Sequence, residues 1–187
     1  MAGFIKSFLL IMLAEMGDKT QLVSLLFATR YKIRDVMLGI FAGTVLVHFF
    51  SVAIGEGLGA LIPAFALKLA AGLSFIGFGI WTLRGDSLDE EEKKPDRFGP
   101  FLTVAVAFFF AELGDKTMLA TITLASQYKS FVGVWMGSTL GMVAADGIAI
   151  GVGIRLGKHL PEKAIKASSA GIFILIGGWM LLQPYLH

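Results

Sequence analysis

The chain consists of six apolar stretches joined by polar connections. Each stretch has about 20 residues or more, which is the length that an α-helix needs to cross the hydrocarbon core of a bilayer. One connection, residues 85–98, is long and strongly charged. The predicted spans are 4–28, 36–57, 64–84, 99–126, 131–154 and 165–184. The pattern therefore predicts an all-α integral membrane protein with six transmembrane helices.

Composition agrees with this class. Of 187 residues, 56% are hydrophobic and 16% are charged, whereas about a quarter of the residues in a soluble domain are charged. Cysteine is absent, which excludes disulfides, thiolate metal sites and iron–sulfur clusters. The first apolar stretch is interrupted by Glu15, Asp18 and Lys19 and no cleavage site follows it, so we expect a permanent helix and not a signal peptide.

The two halves of the chain repeat one another. Residues 13–20 (LAEMGDKT) match residues 110–117 (FAELGDKT), 97 positions later, and further matches follow after one inserted residue. We therefore expect a three-helix repeat at 1–84, a charged cytoplasmic loop at 85–98 and a second three-helix repeat at 99–187. Because three is an odd number of crossings, the second repeat enters the membrane from the opposite side, as in many secondary transporters.

Lysine and arginine predict the orientation. One face carries only three, namely Lys6, Lys68 and Lys129. The other face carries Arg30, Lys32, Arg34, Arg84, Lys93, Lys94, Arg97, Arg155, Lys158, Lys163 and Lys166. Since cytoplasmic loops are enriched in these residues, we expect a multi-pass protein of the cell (inner) membrane with both termini outside the cytoplasm.

Four carboxylates lie near the centres of helices one and four: Glu15, Asp18, Glu112 and Asp115. The i, i+3 spacing puts each pair on one helical face, and a charge at this depth costs at least about 2.5–3.5 kcal/mol. An inverted repeat would bring the two faces together, with the hydroxyls of Thr20 and Thr117 nearby. Such an all-oxygen metal site suits Mn²⁺, Ca²⁺ or Mg²⁺.

Several residues are candidates for supporting the site or for proton coupling. Lys19 and Lys116 either offset carboxylate charge or extend toward a membrane interface. His48 and Asp146 occupy equivalent positions in the two halves, where each is either a proton relay or a buried polar side chain bound by a neighbouring helix. Gln21 is at most an asymmetric ligand, because its repeat partner is methionine.

Glycines mark places where helices break or approach closely. Gly17 and Gly114 lie inside the acidic motifs, where a missing side chain permits a break in the helix or a close helix contact. The G-x-x-x-G pairs are Gly39/Gly43, Gly137/Gly141, Gly147/Gly151 and Gly153/Gly157. We expect them to pack helices within the chain, with a homodimer as the alternative use.

The twin motifs Glu15-Met-Gly-Asp-Lys-Thr20 and Glu112-Leu-Gly-Asp-Lys-Thr117 resemble those of a family of small cation exchangers. That family exports Mn²⁺ or Ca²⁺ in exchange for protons, and the whole chain is similar to its bacterial manganese exporters of the MneA type. The resemblance implies that the four motif carboxylates bind the transported cation, and it favours Mn²⁺ over Ca²⁺. It also implies a transporter without a bound cofactor.

Other functions would use the same residues. A divalent cation channel needs the carboxylates but no proton coupling. An intramembrane metal-dependent enzyme would use a carboxylate-held metal to activate water, but the sequence has no general-base histidine beside the cluster and no soluble lobe. We therefore predict a transporter and not an enzyme, with a divalent cation and protons as substrates, the lipid bilayer as its surroundings and no nucleic-acid partner. Charge counting predicts electroneutral exchange of two protons for one cation.

Overall fold

The computed structural model describes residues 1–61, 63–84, 99–156 and 162–182, and within these ranges it contains eight α-helices and no strand. The charged loop 85–98 lies outside the described residues. The helices are α1 (Ala2–Glu15), α2 (Lys19–Arg30), α3 (Ile33–Leu61), α4 (Ala64–Arg84), α5 (Pro100–Glu112), α6 (Lys116–Tyr128), α7 (Phe131–Leu156) and α8 (Glu162–Leu182).

Two of the predicted spans are wrong as continuous helices. Span 4–28 is divided into α1 and α2, and span 99–126 is divided into α5 and α6. The breaks occur at Gly17 and Gly114, whose φ angles are 79° and 80°. Positive φ is readily adopted only by glycine, and the preceding residues, Met16 and Leu113, are extended with ψ angles of 117° and 114°. Of the two roles expected for these glycines, the structure shows the helix break.

The remaining helices, α3, α4, α7 and α8, lie at the other four predicted spans. Within the described residues, two helices are long and apolar enough to cross a bilayer, Ile33–Leu58 with a mean hydropathy of 2.1 and Phe131–Arg155 with 1.4. Leu69–Ile80 and Pro100–Glu112 are shorter apolar helices. Large apolar side chains also cover the outside of the bundle, such as Leu46. A surface of this kind is rare on soluble monomers, so the fold is that of a membrane protein.

The helices that precede the two breaks pack against the opposite half of the chain, with α1 against α7 and α5 against α3. A Cβ atom added to Gly43 on α3 would lie 2.6 Å from the carbonyl oxygen of Ala105 on α5. One added to Gly141 on α7 would lie 2.5 Å from the carbonyl oxygen of Phe8 on α1. Small residues allow such backbone contact, so these glycines pack helices within the chain.

The packing of α1 against α7 and of α5 against α3 determines where the acidic motifs lie. Phe8 and Ala105 are 97 residues apart, and Gly43 and Gly141 are 98 residues apart, so the two contacts are equivalent under the sequence repeat. Because each motif helix is held by the other half, both motifs lie in the interior of the bundle. The packing thus brings two distant acidic motifs into the interior of the bundle.

Candidate cation site

The two helix breaks bring carboxylates to helix ends inside the protein. Glu15 is the last residue of α1 and Glu112 is the last residue of α5, and both are fully buried. Asp18 and Asp115 directly precede α2 and α6 and are 4% and 3% exposed. Helix C-termini carry partial negative charge on their free carbonyl groups. These two ends favour a cation beside Glu15 and Glu112, whereas the N-termini of α2 and α6, which favour anions, lie next to Asp18 and Asp115.

Three of the four predicted carboxylates form a compact group. One ligand oxygen each from Glu15, Glu112 and Asp115 lies within 4.8 Å of the others. Oxygens around a single Ca²⁺ lie 2.3–2.6 Å from the ion, and those around Mg²⁺ lie slightly closer, so ligand oxygens are separated by up to about 4–5 Å. The group is therefore the right size for one hard divalent cation as substrate.

Each glutamate has one oxygen bound by a threonine of its own motif. Thr20 Oγ1 donates to Glu15 Oε2 at 2.8 Å, and Thr117 Oγ1 donates to Glu112 Oε2 at 2.6 Å. In the part of the chain that the structure describes, the Oε1 atoms of both glutamates have no hydrogen-bond partner. The threonines thus orient the glutamates and leave one oxygen of each available to a cation.

The fourth carboxylate has a different contact. Asp18 forms a buried ion pair with Lys116 of the other half, and both side chains are almost fully enclosed. Of the two roles expected for the lysines, Lys116 therefore takes the one inside the site. The side chain of Lys19 lies outside the described parts of the structure.

Gln21 links the first break to α7. Its Oε1 accepts a hydrogen bond from Gly17 N at 2.8 Å, and its Nε2 donates to the carbonyl oxygen of Ala145 at 3.2 Å. In the second half, Met118 Sδ accepts from Gly114 N at 3.2 Å, and a thioether has no hydrogen to donate. Gln21 therefore positions the backbone at the first break, the one at Gly17.

Asp146 and His48 occupy different surroundings. Asp146 is fully buried on α7, next to the carbonyl that binds Gln21. His48 is fully buried on α3, where its Nδ1 lies 3.4 Å from Thr139 Oγ1 on α7. Neither belongs to the three-carboxylate group.

Sequence reasoning did not single out a second pair of buried hydroxyls. Ser24 and Thr121 are both fully buried and stand 97 residues apart, one helical turn beyond the motif threonines. Ser24 Oγ donates to the carbonyl oxygen of Gln21 at 2.8 Å. The signal for this pair is the recurrence of a hydroxyl at the same offset as the motifs.

Comparison with known proteins assigns the family. The family described as "Divalent cation/proton antiporter GDT1" matches residues 3–90 and 100–187, one segment in each half. The chain belongs to this family. The antiporter is 39% identical over 166 residues to the protein named "Putative manganese exporter" of Vibrio cholerae serotype O1, covering 88% of this chain and 82% of the relative. It is also 27% identical to "GDT1-like protein 5" of Arabidopsis thaliana, covering 97% and 96%.

Relatives also include chloroplast proteins. "Protein PAM71, chloroplastic" of Arabidopsis thaliana is 29% identical over 205 residues, which are 94% of this chain and 55% of that protein. No solved structure matches the chain. Family membership makes this antiporter a membrane transporter with a divalent cation and protons as substrates, and it sets aside the interpretation as an intramembrane enzyme.

Proposed function

We propose that the protein exports Mn²⁺ from the cytoplasm in exchange for protons, through a site formed by Glu15, Asp18, Glu112 and Asp115. The observation that carries this proposal is the group of three buried carboxylates, drawn from both halves, with ligand oxygens within 4.8 Å. Like charges held this close in a dry interior require neutralisation by a cation or by protons. When one ligand displaces the other, metal binding is coupled to proton release, and antiport needs this coupling.

Mn²⁺ is proposed over Ca²⁺ on the evidence of a relative. An all-oxygen site is compatible with both ions, so the ligand set does not separate them. The Vibrio cholerae relative carries manganese in its name, and Ca²⁺ is the alternative substrate to be tested beside it.

The proposed architecture has six membrane crossings in two inverted repeats, 1–84 and 99–187. In it, α1 with α2 and α5 with α6 each form one broken crossing, and α3, α4, α7 and α8 form the other four. The equivalent contacts of Gly43 with Ala105 and of Gly141 with Phe8 support a twofold relation between the halves. Discontinuous helices that meet near the midplane are common binding sites in transporters of this plan.

The proposed orientation places loop 85–98 in the cytoplasm and both termini outside it, in the inner membrane. The support is the lysine and arginine asymmetry. A cysteine at Ser87 should therefore resist membrane-impermeant thiol reagents in intact cells and react with them in inverted vesicles. Rapid labelling in intact cells would reverse the topology.

The proposed stoichiometry is two protons for one divalent cation. Four carboxylates carry four negative charges, and the buried Lys116 offsets one of them. If Lys19 offsets another, as the repeat suggests, one divalent cation or two protons neutralise the remainder. Exchange is then electroneutral, so an imposed membrane potential at zero pH gradient should drive no net Mn²⁺ accumulation in proteoliposomes.

Proteoliposome flux tests the function as a whole. A pH gradient should drive Mn²⁺ uptake by the native protein, and uptake should fall to the level of protein-free vesicles in Asp18→Asn and in Asp115→Asn. Glu56→Gln, which changes a partly exposed carboxylate on α3 outside the group, is the matched control and should transport normally. Uptake that ignores the pH gradient would indicate a channel, and normal flux in the aspartate variants would exclude the proposed site.

A further inference from the structure

A layer of buried polar side chains lies on one side of the cation site. We call Ser7, His48, Ser138 and Thr139 the polar layer; all four are at most 1% exposed. They share one level of the bundle, because His48 Nδ1 lies 3.4 Å from Thr139 Oγ1 and a Cβ added to Gly137 would lie 3.1 Å from Ser7 Cβ.

Ser138 completes the layer. Its neighbour Gly137 faces α1, and its other neighbour Thr139 faces α3. Successive residues of an α-helix are rotated by about 100°, so Ser138 projects into the space between α1 and α3. The layer is thus contributed by three helices, α1, α3 and α7.

Helix packing alone does not account for these side chains. In the described residues, Ser7 Oγ, Ser138 Oγ and His48 Nε2 have no hydrogen-bond partner. A buried polar group without a partner loses its hydrogen bonds to water and gains none in the protein, which is destabilising, and in native proteins such groups call for a specific explanation. Apolar side chains at these positions would serve helix packing without leaving such groups unpaired.

The other half of the chain shows that substitution. The equivalents of Ser7 and Ser138 are Val104 and Ile40, both fully buried in an apolar cluster with Phe108. At these two positions the other half therefore fills the interior without polar groups. The equivalent of His48 is Asp146, which is also buried and polar, so the two serine positions, and not the whole layer, provide the comparison between the halves.

The layer lies between the site and one end of the bundle. Ser7 precedes Glu15 by eight residues on α1, which is about 12 Å along the helix axis. At this end, Lys6 Nζ lies 4.9 Å from the centre of the Tyr128 ring. The fully buried residues Ile11 and Met142 follow Ser7 and Ser138 by four residues, about one helical turn, on α1 and α7.

We propose that the polar layer is part of the half-pathway through which the cation and protons pass between the site and the membrane face where α1 begins. The layer becomes hydrated when the site opens to that face, and water and the hydrated ion then supply the hydrogen bonds that Ser7, Ser138 and His48 lack. Val104 and Ile40 stay dry throughout the cycle. This inference rests on the proposed transport function. It assigns the hydrophilic part of the transport route to the side of the cation site on which Ser7 and Ser138 lie.

The chain contains no cysteine, so single cysteines can be introduced without background. The variants are Ser7→Cys and Ser138→Cys, and the matched controls are Val104→Cys and Ile40→Cys at the equivalent positions. Purified protein in proteoliposomes is treated with a membrane-impermeant cationic methanethiosulfonate from either face, and both labelling rate and Mn²⁺ flux are measured. The thiolate is the reactive form and is disfavoured in a dry apolar site, so the polar-layer cysteines should react at least about tenfold faster than the controls.

Labelling of Ser7→Cys and Ser138→Cys from the face where α1 begins, with loss of Mn²⁺ flux on labelling, supports the half-pathway. Equal labelling of all four positions, labelling from the opposite face, or no labelling of either serine variant overturns it. Where a cysteine variant fails to assemble, Ser7→Val and Ser138→Ile replace it, and unchanged flux in both would equally overturn the proposal. Absence of pH-driven flux in the native protein would instead count against the proposed function, because the labelling contrast does not depend on flux.

Discussion

Replacement of Lys116 by methionine should lower the stability of the protein more than the same replacement at any exposed lysine. Lys116 and Asp18 form an ion pair with side chains only 3% and 2% exposed. Methionine preserves most of the length of the side chain and removes its charge, so that the buried Asp18 carboxylate loses this ion pair. Loss of one partner of a buried pair costs about 3–5 kcal/mol.

For a chain of this size, such a loss corresponds to a decrease in Tm of roughly 6–20 °C. Thermal denaturation of the purified protein in detergent, without added metal, measures it. Lys129→Met is the matched control, because Lys129 is exposed at the C-terminal end of the same helix, and its Tm should change little.

A double-mutant cycle separates charge from packing. Asp18→Asn combined with Lys116→Met leaves no charge at the pair, so the double variant should recover at least half of the Tm that Lys116→Met loses. The reasoning is refuted if Lys116→Met melts like the native protein, or if the double variant is as unstable as the single one. In the first case the pair carries no stability, and in the second the loss comes from packing.

Two further predictions concern glycines. Gly114→Ala should destabilise the protein by about 1–2 kcal/mol, because the φ of +80° at this position is unfavourable for an L-residue, although nothing lies within 4 Å of the added Cβ. The control is Gly57→Ala, inside α3 and equally open, which should be neutral or stabilising. Equal Tm values for the two variants would contradict the strain argument. Gly141→Ala should lower the free energy of unfolding by about 1–3 kcal/mol, because the added methyl group overpacks against the backbone of Phe8. Gly151→Ala on the same helix places its methyl group in open space and should not be destabilising. Identical Tm values for the two variants would show that the helix contact is looser than described.

Much of this protein could be predicted from local chemistry. Apolar stretches of membrane-spanning length predicted an all-helical membrane protein, since every backbone polar group in lipid must be satisfied within a helix. The recurrence of the acidic motif at an offset of 97 residues predicted that two carboxylate pairs would act together. These inferences could be drawn without a structure because hydropathy and internal repetition are properties of the chain itself.

The sequence left open the two possible roles of the motif glycines. A glycine permits either a positive φ or a close contact, and only the backbone geometry distinguishes them. The structure breaks the helices at Gly17 and Gly114, so the predicted spans across them were wrong as single helices. The hydropathy pattern marks the position, because Glu15, Asp18 and Lys19 interrupt the apolar stretch, but polar residues inside a membrane-spanning stretch do not by themselves require the helix to break.

Only the tertiary structure shows which charged side chains of the two halves contact one another. Periodicity placed Asp18 with Glu15 on one face, but packing pairs Asp18 with Lys116 and groups Glu15 with Glu112 and Asp115. Spacing along a helix determines which residues share a face, whereas the depth and rotation of the opposing helix determine which charge each one meets. The difference between Ser7 and Val104 is visible in the sequence, but it acquires meaning only when the fold shows that both residues are fully buried, at positions equivalent under the repeat.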